Sequence, residues 1–479
     1  MAKYDNNLIV IGAGSAGLIV ALIAATVRAR VTLIEQGAMG GDCLNTGCVP
    51  SKTLIRSAKI AHYQATAQRY GVQAVTPQVD FQSVMRRVHE VIATIEPKDS
   101  MARYRELGVN CVAGAARLID RHHVQVGDER LSARSIVLAT GAEPVVPPIP
   151  GLADARPLTS DNLWELESLP QRLLVMGGGP IGCELAQAFA RLGSAVTLID
   201  MAPGLMPRED DDVAGFVERR LRGEGIDVRT GHRAVRVVAS ADGAGVLHAD
   251  SDGGEVQIGF DRVLVAVGRR ANTAGLGLEA LGIATRSDGT LEVDAYLRTA
   301  VRNVYGCGDV VGPYQFTHMA SHQAWYAAVN ALFGRFRKFK VDYSVVPWVT
   351  FTDPEVAHVG LSETEAAERG IRVEVTRYGL DDLDRALADG SASGWVKILT
   401  RPGSDRILGV SIVGAHAGEL IAEYVLAMTH GIGLKKILGT IHVYPTLAEA
   451  NKLAAGAWRR AHAPERLLRW VGRLHDLLR

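Results

Sequence analysis

One spacing occurs twice in this chain and constrains its fold more than any other feature. Leu8 to Ile11 is a short β-branched run, followed by Gly12-Ala-Gly14-Ser-Ala-Gly17, a helical stretch from near Ser15, a second apolar run from Val31 to Ile34, and then Glu35, 23 residues beyond Gly12. The pattern returns in the run from Leu173, which leads into Gly177-Gly-Gly179-Pro-Ile-Gly182, a helix, the strand Ala195 to Ile199, and Asp200, again 23 residues beyond its first glycine. Strand, glycine turn, helix and a second strand closing on an acid make up the grammar of a dinucleotide-binding unit. The first glycine permits the tight turn, the second lets backbone N–H groups approach a pyrophosphate, and the third lets helix and strand pack closely. Gly12, Gly14, Gly17, Gly177, Gly179 and Gly182 are therefore predicted to bind two nucleotides, with Glu35 and Asp200 accepting from ribose hydroxyls. A flavin plus a nicotinamide is the commonest reason to need both units, the alternative being one dinucleotide and one degenerate copy. Asp200 repels a 2′-phosphate, and Met201, Ala202 and Pro203 offer no cation, so NADH is favoured over NADPH; Arg208 argues the other way.

The apolar run from Leu8 to Ala25 resembles a signal peptide or membrane span in hydropathy, but its glycines cut it into strand, turn and helix. At 479 residues the chain has length for about three domains. Lys+Arg and Asp+Glu both number 52, which argues against a nucleic-acid partner. Five cysteines are too few for a secreted disulfide framework, so any pairing is expected to be functional and the compartment reducing, hence cytoplasmic. The Pro-rich run from Ala139 through Thr140 and Gly141 to Gly151 is a crossing out of the first domain, and Val267-Gly268-Arg269 to Thr273 is the return. The second nucleotide unit is thus inserted into the first.

The most informative stretch is Gly40-Gly41-Asp42-Cys43-Leu44-Asn45-Thr46-Gly47-Cys48-Val49-Pro50-Ser51-Lys52. Two cysteines at a helix start can close a small strained ring, and a helix N-terminus lowers a thiolate pKa. This stretch closely resembles the redox-active disulfide signature of the FAD-dependent pyridine nucleotide-disulfide oxidoreductases, and the resemblance extends over residues 6 to 455. It implies an α/β protein with two Rossmann-like dinucleotide-binding domains, for FAD and NAD(P), plus a C-terminal α+β dimerisation domain. The expected boundaries are 1–150 and 271–344 for FAD, 151–270 for NAD(P), 345–458 for dimerisation and 459–479 for a basic extension. It further implies a homodimer in which Cys48 faces the flavin and Cys43 exchanges with substrate, with Lys52 and Glu184 near the reactive flavin nitrogen. Val304-Tyr-Gly-Cys-Gly-Asp309 matches the second FAD motif, with Asp309 toward the ribityl chain, and His318 begins a helix against the flavin ring. Thr140, Gly141 and Gly268 complete the expected cofactor contacts. Cys111, Cys183 and Cys307 read as core residues, and no metal site is expected.

One departure bears on substrate. Members of this family acting on disulfides carry His-Pro followed by Glu, the imidazole serving as base and the Glu orienting it across the dimer. Here the run is Ile441-His442-Val443-Tyr444-Pro445-Thr446-Leu447-Ala448-Glu449. Glu449 and Pro445 keep the register, but Tyr444 stands at the base position, and a phenol of reference pKa about 10 is a poor base at neutral pH. It can still donate a proton. His442 lies two residues away along an extended chain and is expected to point elsewhere. The runs Glu184 to Ser194, Phe351 to Pro354 and Lys452 to Ala455 resemble mercuric reductases, which need a C-terminal cysteine pair, whereas no cysteine follows Cys307. A disulfide or other small oxidant is therefore the expected substrate, with a metal ion as the alternative.

From Arg459 onward six arginines face only Glu465 and Asp476, so this segment carries +4 against −4 in the rest. Leu467, Trp470, Val471, Leu474 and Leu478 recur at helical spacing opposite Arg466, Arg469 and Arg473. Such a helix either packs on its own dimer or meets an anionic membrane or a partner, the last case being that of a membrane-associated electron-transfer flavoprotein.

Overall fold

The computed structural model describes residues 4–479. The chain divides into two compact units, the first gathering the residues up to Gln68, Val72–Leu205 and Leu221–Asp342. In this unit the apolar run Asn6–Ile11 becomes the central strand of a parallel sheet, with Val31–Glu35 on one side and Glu129–Leu138 on the other. Asn110–Ala113 extends the sheet beyond Val31–Glu35, and Val304–Gly306 pairs in parallel with Glu129–Leu138. Val304–Gly306 thus returns to this sheet after the intervening chain has built a second one. Helices Ser15–Thr26 and Thr317–Phe333 pack on each other beside the sheet, with alanines such as Ala21, Ala24, Ala324 and Ala327 buried in the same core. Small side chains allow this close approach.

The inserted half forms a second parallel sheet of Asp227–Arg229, Ala195–Ile199, Arg172–Met176 and Arg262–Val265. A three-stranded antiparallel sheet, Arg233–Ala239, Gly245–Ser251 and Gly254–Phe260, accompanies it. The outward and return crossings pair as short antiparallel strands, Ala142–Pro144 with Arg269–Ala271.

The second unit comprises Arg69–Gly71, Met206–Arg220 and Tyr343–Arg479. Its five-stranded antiparallel sheet runs in the order Pro347–Thr350, Glu355–Gly360, Ile407–Gly414, Trp395–Thr400, Glu374–Gly379. Helices Ala417–Thr429 and Glu449–Ala461 pack on it around Tyr424, Ile398 and Trp458. Met206–Arg220, which the sequence reading places with the nucleotide insertion, groups here instead. The reason is a fully buried cation: Lys397 Nζ lies 2.7 Å from Asp210, 2.9 Å from Asp212 and 2.8 Å from Glu363. A buried ammonium is tolerated only when surrounded by such partners, so the segment carrying Asp210 and Asp212 is tied to the strand carrying Lys397. No helix among the described residues is long and apolar enough to cross a membrane.

Candidate active site

The cysteine motif folds as two helices rather than one. Gly41–Asn45 carries Cys43, the chain breaks at Thr46 and Gly47, and Cys48 is the first residue of the long helix Cys48–Thr66. Only Cys48 therefore gains the helix N-terminus, which corrects the expectation of one helix start serving both cysteines. Asn45 fixes the short helix by donating to the carbonyls of Met39 and Gly41, each at 2.9 Å. The indole of Trp164 holds the break, donating to the Thr46 carbonyl at 2.9 Å.

Cys43 and Cys48 are both thiols and hydrogen bond to each other. Their environments separate them. The hydrogen bond from Cys43, the Thr317 hydroxyl and the charge of Lys52 favour a Cys48 thiolate and bring its pKa down to about 6. The same hydrogen bond, together with burial, pushes Cys43 up. At neutral pH the pair thus holds one proton, on Cys43, and one negative charge, on Cys48. Thr317 lies at the start of helix Thr317–Phe333, its Oγ1 3.4 Å from Cys48 Sγ. Thr317, which directly precedes His318, carries no motif signal in the sequence and gains its place from the fold. His318 stacks on Phe316 with ring centres 5.3 Å apart.

Four residues further along its helix, Lys52 forms an ion pair of 2.8 Å with Glu184, a buried carboxylate on helix Pro180–Leu192. The structure thus joins four of the predicted residues, Cys43, Cys48, Lys52 and Glu184, into one connected site. Asp42, beside Cys43, is bonded to Arg269 from the return crossing, which also donates to the Ala142 carbonyl at 2.6 Å. Burial raises the Asp309 carboxyl to about 6. Thr140 is occupied locally, donating to the Asn272 carbonyl at 2.7 Å, while Gly141 and Gly268 adopt positive φ beside open space.

The two glycine turns are built alike. A methyl group on Gly17 would fall 1.8 Å from the Gly12 carbonyl oxygen, and one on Gly182 would fall 1.8 Å from that of Gly177. At the middle glycines the situation reverses: a Cβ on Gly179 meets nothing within 4 Å, and one on Gly14 only the Gly41 Cα at 3.8 Å. Helices Ser15–Thr26 and Pro180–Leu192 begin without a side-chain cap or an acid in the first turn, leaving their N-terminal amides for an anion. Each acid also braces its turn. Glu35 accepts from Ala13 N at 2.6 Å and Gly37 N at 2.7 Å, and Asp200 from Gly178 N at 2.5 Å and Ala202 N at 2.7 Å. Both cradles fit a dinucleotide pyrophosphate.

A family model described as pyridine nucleotide-disulphide oxidoreductase matches residues 6–324, and the dimerisation domain of the same family matches residues 346–455. The chain belongs to this family. It is a flavoprotein oxidoreductase that uses FAD and NAD(P)H and passes electrons to a cysteine pair. A mercuric reductase of Streptomyces lividans is 37% identical over 464 residues, covering 95% of this chain and 96% of the relative. A dihydrolipoyl dehydrogenase of Thermus scotoductus is 37% identical over 472 residues, covering 95% and 98%. Among solved structures, the Cu(II) complex of the HOCl-induced flavoprotein disulfide reductase RclA from Escherichia coli is 29% identical with a TM-score of 0.83, over 95% of this chain and 99% of that one.

In the second unit, the expected base segment is not free. Tyr444 donates to Asp384 Oδ2 at 3.0 Å, and that carboxylate raises the phenol pKa further. His442 faces the Thr440 carbonyl at 3.1 Å through Nδ1 and Glu423 at 3.0 Å through Nε2. Both ring nitrogens of His442 are thus engaged by oxygen atoms of its own unit. Glu449 opens helix Glu449–Ala461 and accepts from Thr446 N at 3.4 Å. Cys111, Cys183 and Cys307 are buried, and burial lifts Cys307 to about 12.

Proposed function

We propose that the chain is a homodimeric reductase that takes electrons from NADH and delivers them through Cys43 to a small oxidant, and that it is not a dithiol dehydrogenase. The observation that carries this reading is the engagement of Tyr444 and His442, which leaves the segment Ile441 to Glu449 with no imidazole to take a proton from a dithiol. Bound FAD supplies the two-electron chemistry between the nicotinamide and the cysteines. Gly12, Gly14, Gly17, Glu35 and Asp309 would hold it, and Gly177, Gly179, Gly182 and Asp200 would hold the nicotinamide dinucleotide. Asp200 is the reason for preferring NADH, since a carboxylate closing the second strand of the unit would repel a 2′-phosphate.

Opening the Cys43–Cys48 bond consumes two electrons and one proton; the proton stays on Cys43 and the charge on Cys48, as their opposite pKa shifts favour. A disulfide acceptor is then attacked by Cys43 sulfur after it loses its proton, releasing one substrate thiolate, and Cys48 closes on Cys43 to release the second. In a homodimer of this family's kind, Tyr444 and Glu449 of the partner subunit would line this exchange position, Tyr444 without serving as a base.

A thiophilic metal ion is the second reading, favoured by the Cu(II) bound in the RclA relative and by the mercuric reductases among the relatives. The test is a panel of acceptors: NADH oxidation with oxidised lipoamide, glutathione disulfide, cupric ion or mercuric ion, against NAD+-dependent oxidation of dihydrolipoamide. The reductive direction with at least one acceptor is expected to exceed dihydrolipoamide oxidation by about tenfold or more. Dihydrolipoamide turnover as fast as any reduction would overturn the reading.

A further inference from the structure

The helix Glu465–Leu477 stands apart from every other long helix in burying none of its side chains. The preceding helix Glu449–Ala461 buries five, ending at Trp458. Leu467, Trp470, Val471 and Leu474 form one arc of the later helix, continued by its C-cap Leu478, with Trp470 60% and Leu478 74% exposed. Arg466, Arg469 and Arg473 form the opposite arc, and Arg459 and Arg460 lie in the last turn of the helix before it. An amphipathic helix of 13 residues with low overall hydrophobicity, a tryptophan on its apolar face and a cationic polar face suits the plane of a bilayer interface.

We propose that this helix binds the surface of an anionic phospholipid bilayer, its apolar arc in the acyl boundary and its arginines on lipid phosphates. Charge complementarity selects this occupant: Arg466, Arg469 and Arg473 flank the apolar arc where lipid phosphates would lie, and only Glu465 and Asp476 oppose them. A second basic segment, in the first unit, has the same chemistry. Gly334 to Lys340 reads Gly-Arg-Phe-Arg-Lys-Phe-Lys, no acid occurs between Thr317 and Val341, and Phe336 is 90% exposed. A basic loop displaying a bare phenyl ring is costly in water and favourable at a lipid headgroup layer.

The proposal is independent of the electron acceptor, so its failure would leave the reductase reading intact. The test is co-sedimentation of the full-length FAD-loaded protein with vesicles of phosphatidylcholine alone or with about a quarter phosphatidylglycerol. Most of the protein is expected to sediment with the anionic vesicles at low salt, little with the neutral ones, and less as salt rises. The variants Leu467→Gln/Trp470→Gln/Leu474→Gln and Arg466→Gln/Arg469→Gln/Arg473→Gln should each lower the partition coefficient by about tenfold or more while leaving NADH oxidation unchanged. Wild type remaining in the supernatant would overturn the proposal, as would binding that both variants retain. Conversion of the dimer to monomer in the apolar variant, with no vesicle binding by wild type, would place the helix in the dimer seam instead.

Discussion

Cys48 Sγ and Thr317 Oγ1, 269 residues apart in sequence, lie 3.4 Å from each other at the N-termini of two different helices. The hydroxyl donates to the thiolate that the site favours, and a hydrogen bond to a charged acceptor is worth about 1.5–3 kcal/mol. Thr317→Val is therefore predicted to slow alkylation of reduced Cys48 at pH 6–7 by about threefold to tenfold, while the rate above the ordinary thiol pKa stays unchanged. In the wild type, reactivity is retained as pH falls from 9 and is lost as it passes about 6, because the folded pKa is depressed. A pH profile of iodoacetamide labelling, read by peptide mass, checks both statements.

The nucleotide cradles give a contrast between neighbouring glycines. Gly179→Ala adds a methyl group to empty space, so the protein is predicted to fold and keep FAD but to bind NADH about tenfold or more weakly, seen as a raised KM. Gly182→Ala instead drives a methyl group against the Gly177 carbonyl and should disorder the turn itself, seen as loss of soluble protein or a lowered Tm.

Lys397→Met removes the fully buried cation on which Asp210, Asp212 and Glu363 converge, leaving Asp212 paired with Arg377. Breaking a buried ion pair from one side costs about 3–5 kcal/mol, and Asp210 is the partner that would be left desolvated. The second unit is predicted to unfold at markedly lower urea, and neutralising Asp210 and Asp212 to Asn in the same protein should recover part of the loss. A Lys397→Met protein with an unchanged midpoint would show the cluster to be energetically idle.

The residues that the sequence revealed most readily are those with a steric or positional demand that few side chains meet. Gly12, Gly17, Gly177 and Gly182 each leave no room for a Cβ, and Glu35 and Asp200 each close a strand beside such a turn. The cysteine motif was equally legible because Cys43, Asn45, Cys48 and Lys52 act within one short stretch. What escaped depends on distant partners. Thr317 gains meaning only because the second FAD segment returns beside Cys48. Lys397 looks like any strand lysine until Asp210 and Asp212 surround it, and that cluster is also why Met206–Arg220 groups with the second unit. His442 and Tyr444 sit two residues apart in irregular backbone and take different partners, Glu423 and Asp384, each from a separate helix.

Restoring an imidazole tests the reading of the C-terminal segment. Tyr444→His is predicted to raise NAD+-dependent dihydrolipoamide oxidation by about tenfold or more, because a base of suitable pKa replaces a phenol held by Asp384. Tyr444→Phe should leave that activity within about twofold, since no base is lost. Steady-state rates of the three proteins decide the matter.

The most direct measurement is anaerobic titration of the FAD-loaded protein with NADH, followed by visible absorbance. If Cys43 and Cys48 form the redox centre and Cys48 carries the thiolate, a long-wavelength charge-transfer band should grow as about two electrons enter. The band should persist in Cys43→Ser and vanish in Cys48→Ser. Its absence from wild type, or its survival in Cys48→Ser, would contradict the assignment of these two cysteines.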